Sequence, residues 1–187
     1  MNLIGKKNID HMKTVFHYLI AGLCWVFLGQ VHAQVAIGTA PSTVRITGDQ
    51  GGKVAGGDWS SDEIRGKVYT VMYVDPDEKD VNEHVERSLK AENFPRDKYG
   101  SMAIVNTAAT WKPDAVIKMI LKSKQKDYPD SIYIMDRQKV LVKKWGLKDY
   151  NYHVLTFGKD GKLLYSKAGA LSDRDIQELK RIIRSNL

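Results

Sequence analysis

The sequence predicts an α/β fold in which a central mixed β-sheet is flanked by helices. Apolar, β-branched segments with the length of buried strands alternate with segments whose apolar residues recur every three or four positions, as on one helix face. Near the C-terminus, two strand-like segments are joined by Gly158–Gly161, whose Asp-Gly tip is typical of a hairpin. The composition, 43% hydrophobic and 27% charged over 187 residues, is ordinary for one globular domain.

The first half of this domain begins with a continuous apolar and aromatic run, Lys67–Asp75, which predicts a buried central strand that Pro76 ends. Asp77–Glu92 has two valines and a leucine at four-residue spacing, which predicts an amphipathic helix. A second apolar run, Ser101–Thr107, predicts the next strand.

The second half continues the alternation. Pro113 is well placed in the first turn of a helix that carries apolar residues on one face and lysines on the other. Ser131–Asp136 predicts a third strand, and Arg137–Trp145 a short helix that Gly146 ends. The hairpin follows, and Ser172 opens the last helix with a capping-box pattern.

This order of elements matches a thioredoxin-like architecture with an inserted β-α unit after the first helix, as in the peroxiredoxin and thiol-reductase branches. The hairpin strands are predicted at His153–Phe157 and Lys162–Ser166. A flavodoxin-like sheet is the alternative, but it would need another crossover helix in place of that hairpin. Residues 59–187 form the predicted domain, and the glycine-rich residues 34–58 predict a small hairpin or an irregular N-terminal extension.

Residues 1–33 have the pattern of a cleaved secretory signal peptide. A lysine-containing start precedes an apolar run that is short for a membrane span, and small residues precede a cleavage point after Ala33. Met12 is an alternative initiator. The single cysteine, Cys24, lies within the apolar run. We therefore expect a periplasmic mature chain without a thiol, which excludes a thiol oxidoreductase or peroxidase, disulfides and Cys-ligated metals.

Short motifs spread from Trp59 to the C-terminus carry a family resemblance. They are Trp59, Gly66-Lys67, Asp97-Lys98-Tyr99, Ile104–Thr107, Tyr128-Pro129, Asp136, Trp145, Lys159–Lys162 and, most specifically, Lys167–Ser172. In this order and spacing they resemble the YtfJ family of small exported bacterial proteins. The resemblance implies a thioredoxin-like fold and no established activity.

The loop after the first predicted strand is the main candidate site. In active thioredoxin-like enzymes it presents Cys-x-x-Cys at a helix N-terminus, where the helix dipole stabilises a thiolate. By that resemblance the loop here carries four carboxylates, at Asp75, Asp77, Glu78 and Asp80. They are interpreted as caps of the helix N-terminus, as ligands for a cation or a basic partner, or as a catalytic pair.

The segment that enters the hairpin, Asp149–His153, contains no proline where those enzymes have a cis-proline. Tyr152 and His153 are candidate binding residues because, by the same resemblance, they adjoin the altered redox site. His84 follows Asp80 by four residues, a spacing compatible with a metal site, but two side chains are not a site.

Two functions remain open at this point. One is a redox-inactive binding or accessory module; the other is a thiol-independent enzyme that uses the acidic loop Asp75–Asp80 with His153 or a bound cation. No catalytic residue, cofactor or metal site is predicted. The net charge of +7 includes +2 from residues 1–33, so the expected mature chain carries +5. This excess is interpreted as a solvated lysine-rich surface or as a contact with an anionic envelope partner. The expected partner is an envelope protein or an anionic ligand, not nucleic acid. Trp111 and Lys112 combine aromatic and basic groups as single-strand binders do, whereas Trp145 is expected in the core.

Overall fold

A six-stranded mixed sheet forms the centre of the computed structural model, which describes residues 35–187. The predicted signal peptide lies outside the described residues. The strands are β1 (Arg45–Ile46), β2 (Gly51–Lys53), β3 (Trp59–Ser60), β4 (Val68–Val74), β5 (Tyr99–Asn106), β6 (Ser131–Asp136), β7 (Tyr152–Phe157) and β8 (Leu163–Ala168). The helices are α1 (Glu83–Ala91), α2 (Asp114–Asp127), α3 (Val140–Trp145) and α4 (Asp173–Asn186). Of these helices, none has both the length and the apolar character needed to cross a bilayer.

The strand order across the main sheet is β2-β6-β5-β4-β7-β8. β4 pairs in parallel with β5, and β5 with β6, through the crossover helices α1 and α2. β7 runs antiparallel to β4, and β8 antiparallel to β7. The predicted mixed sheet and its closing hairpin are confirmed.

Helices cover both faces of the sheet. Residues of α1 and α4 pack in one apolar cluster on the first face, and α2 packs on the strands beside them. On the second face α3 packs against the strands together with residues from the N-terminal region. Trp145 at the end of α3 is fully buried, and its indole N–H donates to the carbonyl oxygen of Ser42 at 3.0 Å, which confirms the prediction that it lies in the core.

Residues 35–58 contribute to this core and to the main sheet. Val44 and Ile46 are buried beside Trp59, and β1 pairs with β3 as a short antiparallel ladder. β2 pairs with β6 at the edge of the main sheet. Gly51 adopts φ 126° there, and a Cβ at this position would overlap the carbonyl oxygen of Met135, so β2 can approach β6 only with glycine at this position.

The predicted amphipathic helix is confirmed as α1, but it begins at Glu83 and not at Asp77. The chain makes two turns before the helix, since the amide of Glu78 donates to the Asp75 carbonyl oxygen at 3.0 Å and the amide of Val81 donates to that of Glu78 at 3.1 Å. Asn82 directly precedes α1, but its side chain does not cap the helix. It bonds instead to the backbone between β8 and α4, which ties α1 to the C-terminal part of the fold.

The C-terminal helix begins as predicted. The Ser172 hydroxyl accepts a hydrogen bond from the amide of Asp175, and the Asp175 carboxylate accepts one from the amide of Ser172 at 2.9 Å. The predicted apolar stripe faces the sheet. Ile176, Leu179 and Ile183 are buried, and Ile182 is partly buried.

Candidate functional site

Three polar side chains lie side by side at the carboxyl edge of the parallel strands. Asn106 ends β5 and Asp136 ends β6, and the two residues are partners in the strand register. Asp75 follows β4, whose parallel register with β5 places it beside Asn106. The amide of Asp75 donates to the carbonyl oxygen of Asn151, just before β7, at 3.1 Å. In α/β sheets this edge is where ligands usually bind.

Of these residues, Asp136 has a structural role. Its carboxylate is fully buried and accepts hydrogen bonds from the amides of Gln138, Val140 and Leu141 and from the hydroxyl of Tyr73, at 2.9–3.2 Å. Burial first, and then the negative charge of Asp136, raises the pKa of Tyr73, so this hydroxyl stays protonated and acts as a donor. Asp136 therefore joins β4 and β6 to the start of α3.

Asp75 is buried with fewer partners. Only 3% of the residue is exposed, and one carboxylate oxygen accepts a hydrogen bond from the amide of Asp77 at 2.9 Å. The other oxygen accepts no side-chain or backbone hydrogen bond from the described residues. Burial raises the pKa of Asp75, because a carboxylate removed from water is destabilised unless it is paired.

The other acidic residues of the loop differ in their contacts. Asp77 pairs with Lys112, from the loop after β5, and this hydrogen bond lowers the pKa of Asp77. Asp80 contacts its neighbour Lys79 at 2.5 Å, and Glu78 is exposed. The interpretation that these carboxylates cap the helix was wrong: among the described residues no carboxylate of the loop accepts a hydrogen bond from an amide of α1, and the residue before the helix is Asn82.

A second lysine–carboxylate pair lies on the other side of the edge. The ammonium group of Lys139 is 2.6 Å from one oxygen of Asp149, and the other oxygen accepts the side-chain amide of Asn106 at 3.0 Å. Burial alone would raise the pKa of Asp149, but the hydrogen bonds from Lys139 and from the Tyr150 amide outweigh it and lower this pKa. Lys139 and Tyr150 both have positive φ, a costly conformation for residues other than glycine.

Two exposed aromatic side chains flank these pairs. Trp111 is 86% exposed and directly precedes Lys112. Tyr150 is 63% exposed, and the ammonium group of Lys139 lies 4.3 Å from the centre of its ring. Both rings are therefore available for contact with another molecule.

Tyr152 and His153 are separated, because successive residues of β7 point to opposite faces of the sheet. The Tyr152 hydroxyl donates to the carboxylate of Glu86 in α1 at 3.0 Å. On the other face, Nε2 of His153 lies 2.9 Å from the carbonyl oxygen of Lys148, and burial lowers the pKa of this imidazole. Both candidates are buried and bonded within the fold, and neither joins the acidic loop in one cluster.

Three buried polar atoms at the same edge have no hydrogen-bond partner among the described residues. They are Oδ1 of Asn106, Oγ1 of Thr107 and Oδ1 of Asn151. No three His, Cys, Asp or Glu side chains within residues 35–187 are grouped so that they could hold a metal ion. His84, which the sequence placed near Asp80, has Nε2 at 2.9 Å from the carbonyl oxygen of Leu171.

Comparison with known proteins identifies the family. Residues 39–186 match the family described as "Bacterial protein of unknown function (YtfJ_HI0045)". The chain belongs to the YtfJ_HI0045 family. It is 27% identical over 132 residues to the uncharacterized protein YtfJ of Escherichia coli strain K12, covering 69% of this chain and 72% of that protein. The predicted family is confirmed.

Solved structures show the fold of this YtfJ_HI0045 family member. The chain resembles the pneumococcal exposed lipoprotein thioredoxin (Etrx1) of Streptococcus pneumoniae strain TIGR4, with a TM-score of 0.53 and 18% identity, covering 70% of this chain and 98% of the other. It also resembles the thioredoxin domain of a thiol-disulfide oxidoreductase from Bacteroides vulgatus, with a TM-score of 0.58 and 12% identity, covering 80% and 99%. The predicted thioredoxin-like fold is confirmed.

Several residues at this edge of the YtfJ_HI0045 chain were not identified as site residues from the sequence. Asn106 lies far along the chain from Lys139 and Asp149, and it meets Asp149 only through the sheet register and the α3–β7 loop. One signal was available: Asn106 and Asp136 each end an apolar strand, as Asp75 does. The carboxyl ends of parallel strands meet at one edge, so these three residues could have been grouped.

Proposed function

We propose that this chain is an exported, redox-inactive thioredoxin-like module that binds a protein partner through the carboxyl edge of its sheet. The observation that carries the proposal is the pair of exposed aromatic residues, Trp111 and Tyr150, each beside a lysine–carboxylate pair. This edge lies where active thioredoxin-like enzymes carry their thiols, and residues 35–187 contain no cysteine.

The two aromatic residues have the properties of interface anchors. Tryptophan and tyrosine are over-represented among the residues that dominate binding energy at protein interfaces. The loops that carry them are tied down by Lys112–Asp77 and Lys139–Asp149. A loop that is ordered before binding loses less conformational entropy when the partner arrives, so its contacts contribute more to affinity.

An apolar strip on α2 extends the surface beyond Trp111. Val116, Met119 and Ile120 are 40%, 66% and 43% exposed, and their spacing places them on one face of the helix. Lys118 and Lys122 are exposed on the same helix. An apolar strip with lysines beside it favours a partner whose apolar contact area is bordered by acidic side chains.

The alternative, a thiol-independent enzyme, would need either His153 free and close to the acidic loop or a cation bound to that loop, and residues 35–187 bring no three His, Cys, Asp or Glu side chains together to hold one. Nε2 of His153 contacts the Lys148 carbonyl oxygen, and the loop carboxylate of Asp77 is paired with Lys112. We therefore favour binding over catalysis. An insulin-reduction assay tests the redox part of the proposal: the mature protein should show no turnover, and measurable thiol-dependent turnover would contradict it.

Export is supported by the leader pattern of residues 1–33. The mature chain is expected to begin at Gln34 in the periplasm. Intact-mass analysis of a periplasmic extract tests this expectation. A mass that retains residues before Gln34, or a lipid on Cys24, would contradict it.

Capture from envelope extract tests the binding surface. Immobilised mature protein should retain a partner that is lost when Trp111 and Tyr150 are both replaced by alanine. Ile37→Ala is the matched control, because Ile37 is 60% exposed but belongs to the N-terminal region. Equal capture by the double variant and by the wild type would contradict the proposed surface.

A further inference from the structure

A cavity of about 300 Å³ lies away from the proposed partner surface, between α1, the end of α2 and the first residues of β5 and β6. Gly100, Ser101 and Ser131 line it, so it opens at the amino ends of these strands, opposite the edge that carries Asp75. A cavity of about 150 Å³ holds benzene, and ligand pockets begin at about 300 Å³. The space therefore suits a substituted aromatic ring or a molecule of similar size.

Apolar and aromatic side chains form the walls of the cavity. Leu89 comes from α1, Met72 from β4, and Phe94 and Tyr128 from the segments that follow α1 and α2. The ring of Phe94 is 4.9 Å from that of Tyr99, with the two rings tilted. Aromatic and thioether groups of this kind make favourable contacts with an aromatic ring.

The hydroxyl group of Tyr133, a residue that lines the cavity, has no hydrogen-bond partner among the described residues. Tyr133 is only 5% exposed, yet its hydroxyl forms no hydrogen bond with any of the described residues. The hydroxyl atom itself is not sealed off, so it is free to bond to a molecule that enters the cavity. A ligand hydroxyl in the cavity would supply both a donor and an acceptor for it.

The charge near Tyr133 selects against an anionic ligand. Glu86 also lines the cavity, and its carboxylate accepts the Tyr152 hydroxyl at 3.0 Å and the Lys124 ammonium at 3.4 Å. Burial first, and then the negative charge of Glu86, raises the pKa of Tyr133. A carboxylate or phosphate placed there would be repelled, whereas a neutral hydroxyl group would find an acceptor nearby.

We propose that this cavity binds a small uncharged aromatic alcohol or phenol, whose ring contacts Leu89 and Phe94 and whose hydroxyl bonds to Tyr133. At the mouth, Arg96 pairs with Asp130 at 2.7 Å and the ammonium of Lys90 lies 4.3 Å from the centre of the Tyr128 ring. Arg96 and Asp130 are thus engaged with each other and Lys90 with an aromatic ring, and we expect recognition to depend on the interior of the cavity.

Three matched probes test the proposal on the mature protein, with binding followed by amide NMR shifts. Para-ethylphenol should bind and shift the resonances of Tyr133 and Phe94. Ethylbenzene, which lacks the hydroxyl, should bind roughly fivefold more weakly, as expected for one lost hydrogen bond. Para-ethylbenzoate should not bind. The proposal is overturned if ethylbenzene binds as tightly as para-ethylphenol, if no probe binds, or if the shifts map to Trp111.

Two variants separate the ring and hydroxyl contributions. Tyr133→Phe should keep the melting temperature, since the hydroxyl has no protein partner, and should remove the preference for para-ethylphenol over ethylbenzene. Ala103→Leu adds bulk to a residue that lines the cavity and should abolish binding of both probes. Retained preference in the first variant, or retained binding in a folded second variant, would contradict the assignment. Ile37→Ala, outside the cavity lining, should bind like the wild type.

Discussion

The ammonium group of Lys112 pairs with the carboxylate of Asp77, and this ion pair joins the loop after β5 to the loop after β4. Trp111 is the neighbour of Lys112 in the chain, so the pair also limits where its exposed ring can lie. Lys139 and Asp149 form the second ion pair, and the ammonium group of Lys139 lies against the ring of Tyr150. Two independent ion pairs thus hold exposed aromatic rings at one edge of the sheet.

Replacement of Asp75 by asparagine should stabilise the fold at neutral pH. The folded-state pKa of Asp75 lies above its ordinary value of 3.8 because of burial, so the ionised form destabilises the folded chain. Asparagine keeps the oxygen that accepts the Asp77 amide but carries no charge. Urea unfolding should show a higher midpoint at pH 7. The advantage should shrink as the pH falls through the raised pKa, where the wild-type carboxyl becomes neutral.

Asp77→Asn is the control for that experiment. Its pKa is lowered by the hydrogen bond from Lys112, so loss of its charge should not stabilise the fold. A stabilised Asp75→Asn variant that binds the partner more weakly would show that the buried charge serves binding at the expense of stability. An Asp75→Asn variant with a lower unfolding midpoint than the wild type would contradict this assignment.

Asp136→Ala should be strongly destabilising, by about 3 kcal/mol or more, because it leaves several buried donors unpaired. The amides at the start of α3 and the Tyr73 hydroxyl all bond to this carboxylate. Tyr73→Phe removes only one of these bonds and should cost about 1–3 kcal/mol. Chemical denaturation measures both. Equal losses in the two variants would show that the amides of α3 do not depend on Asp136.

Most of the architecture could be predicted from local patterns, and most of the candidate site could not. Strand Ser131–Asp136 and the start of α4 follow from apolar runs and a capping box, which are local signals. The start of α1 was misplaced because the acidic loop forms turns that its composition does not distinguish from a first helical turn. The contact between Asn106 and Asp149 depends on tertiary packing, and local sequence patterns do not predict such a contact.

Leu179→Ala in α4 should cost about 2–5 kcal/mol of unfolding free energy, as expected for a large-to-small change in a core. Leu179 is fully buried, in the cluster that joins α4 to α1 and the sheet. Ile182→Ala is the control, since this residue is only partly buried and its truncation should cost less. A midpoint that barely moves for Leu179→Ala would mean that α4 does not pack on the sheet.

The buried imidazole of His153 should make stability depend on pH. Its folded-state pKa lies below the ordinary value of 6.5 because burial disfavours the charged ring. The unfolded chain therefore binds more protons, and stability should fall as the pH drops below about 6.5 towards the lowered folded-state pKa. His153→Gln should remove this part of the pH dependence. An NMR titration of the wild type that gives His153 an unshifted pKa would contradict the assignment.

The most direct measurement of the proposed binding surface is site-specific photo-crosslinking in the periplasm. A benzophenone amino acid is placed at Trp111, at Tyr150 or, as the control, at Ile37, all of which are exposed. The proposal predicts the same crosslinked partner from positions 111 and 150 and none from position 37. Crosslinks confined to position 37, or no crosslink from either aromatic position, would contradict a partner surface at the carboxyl edge of the sheet.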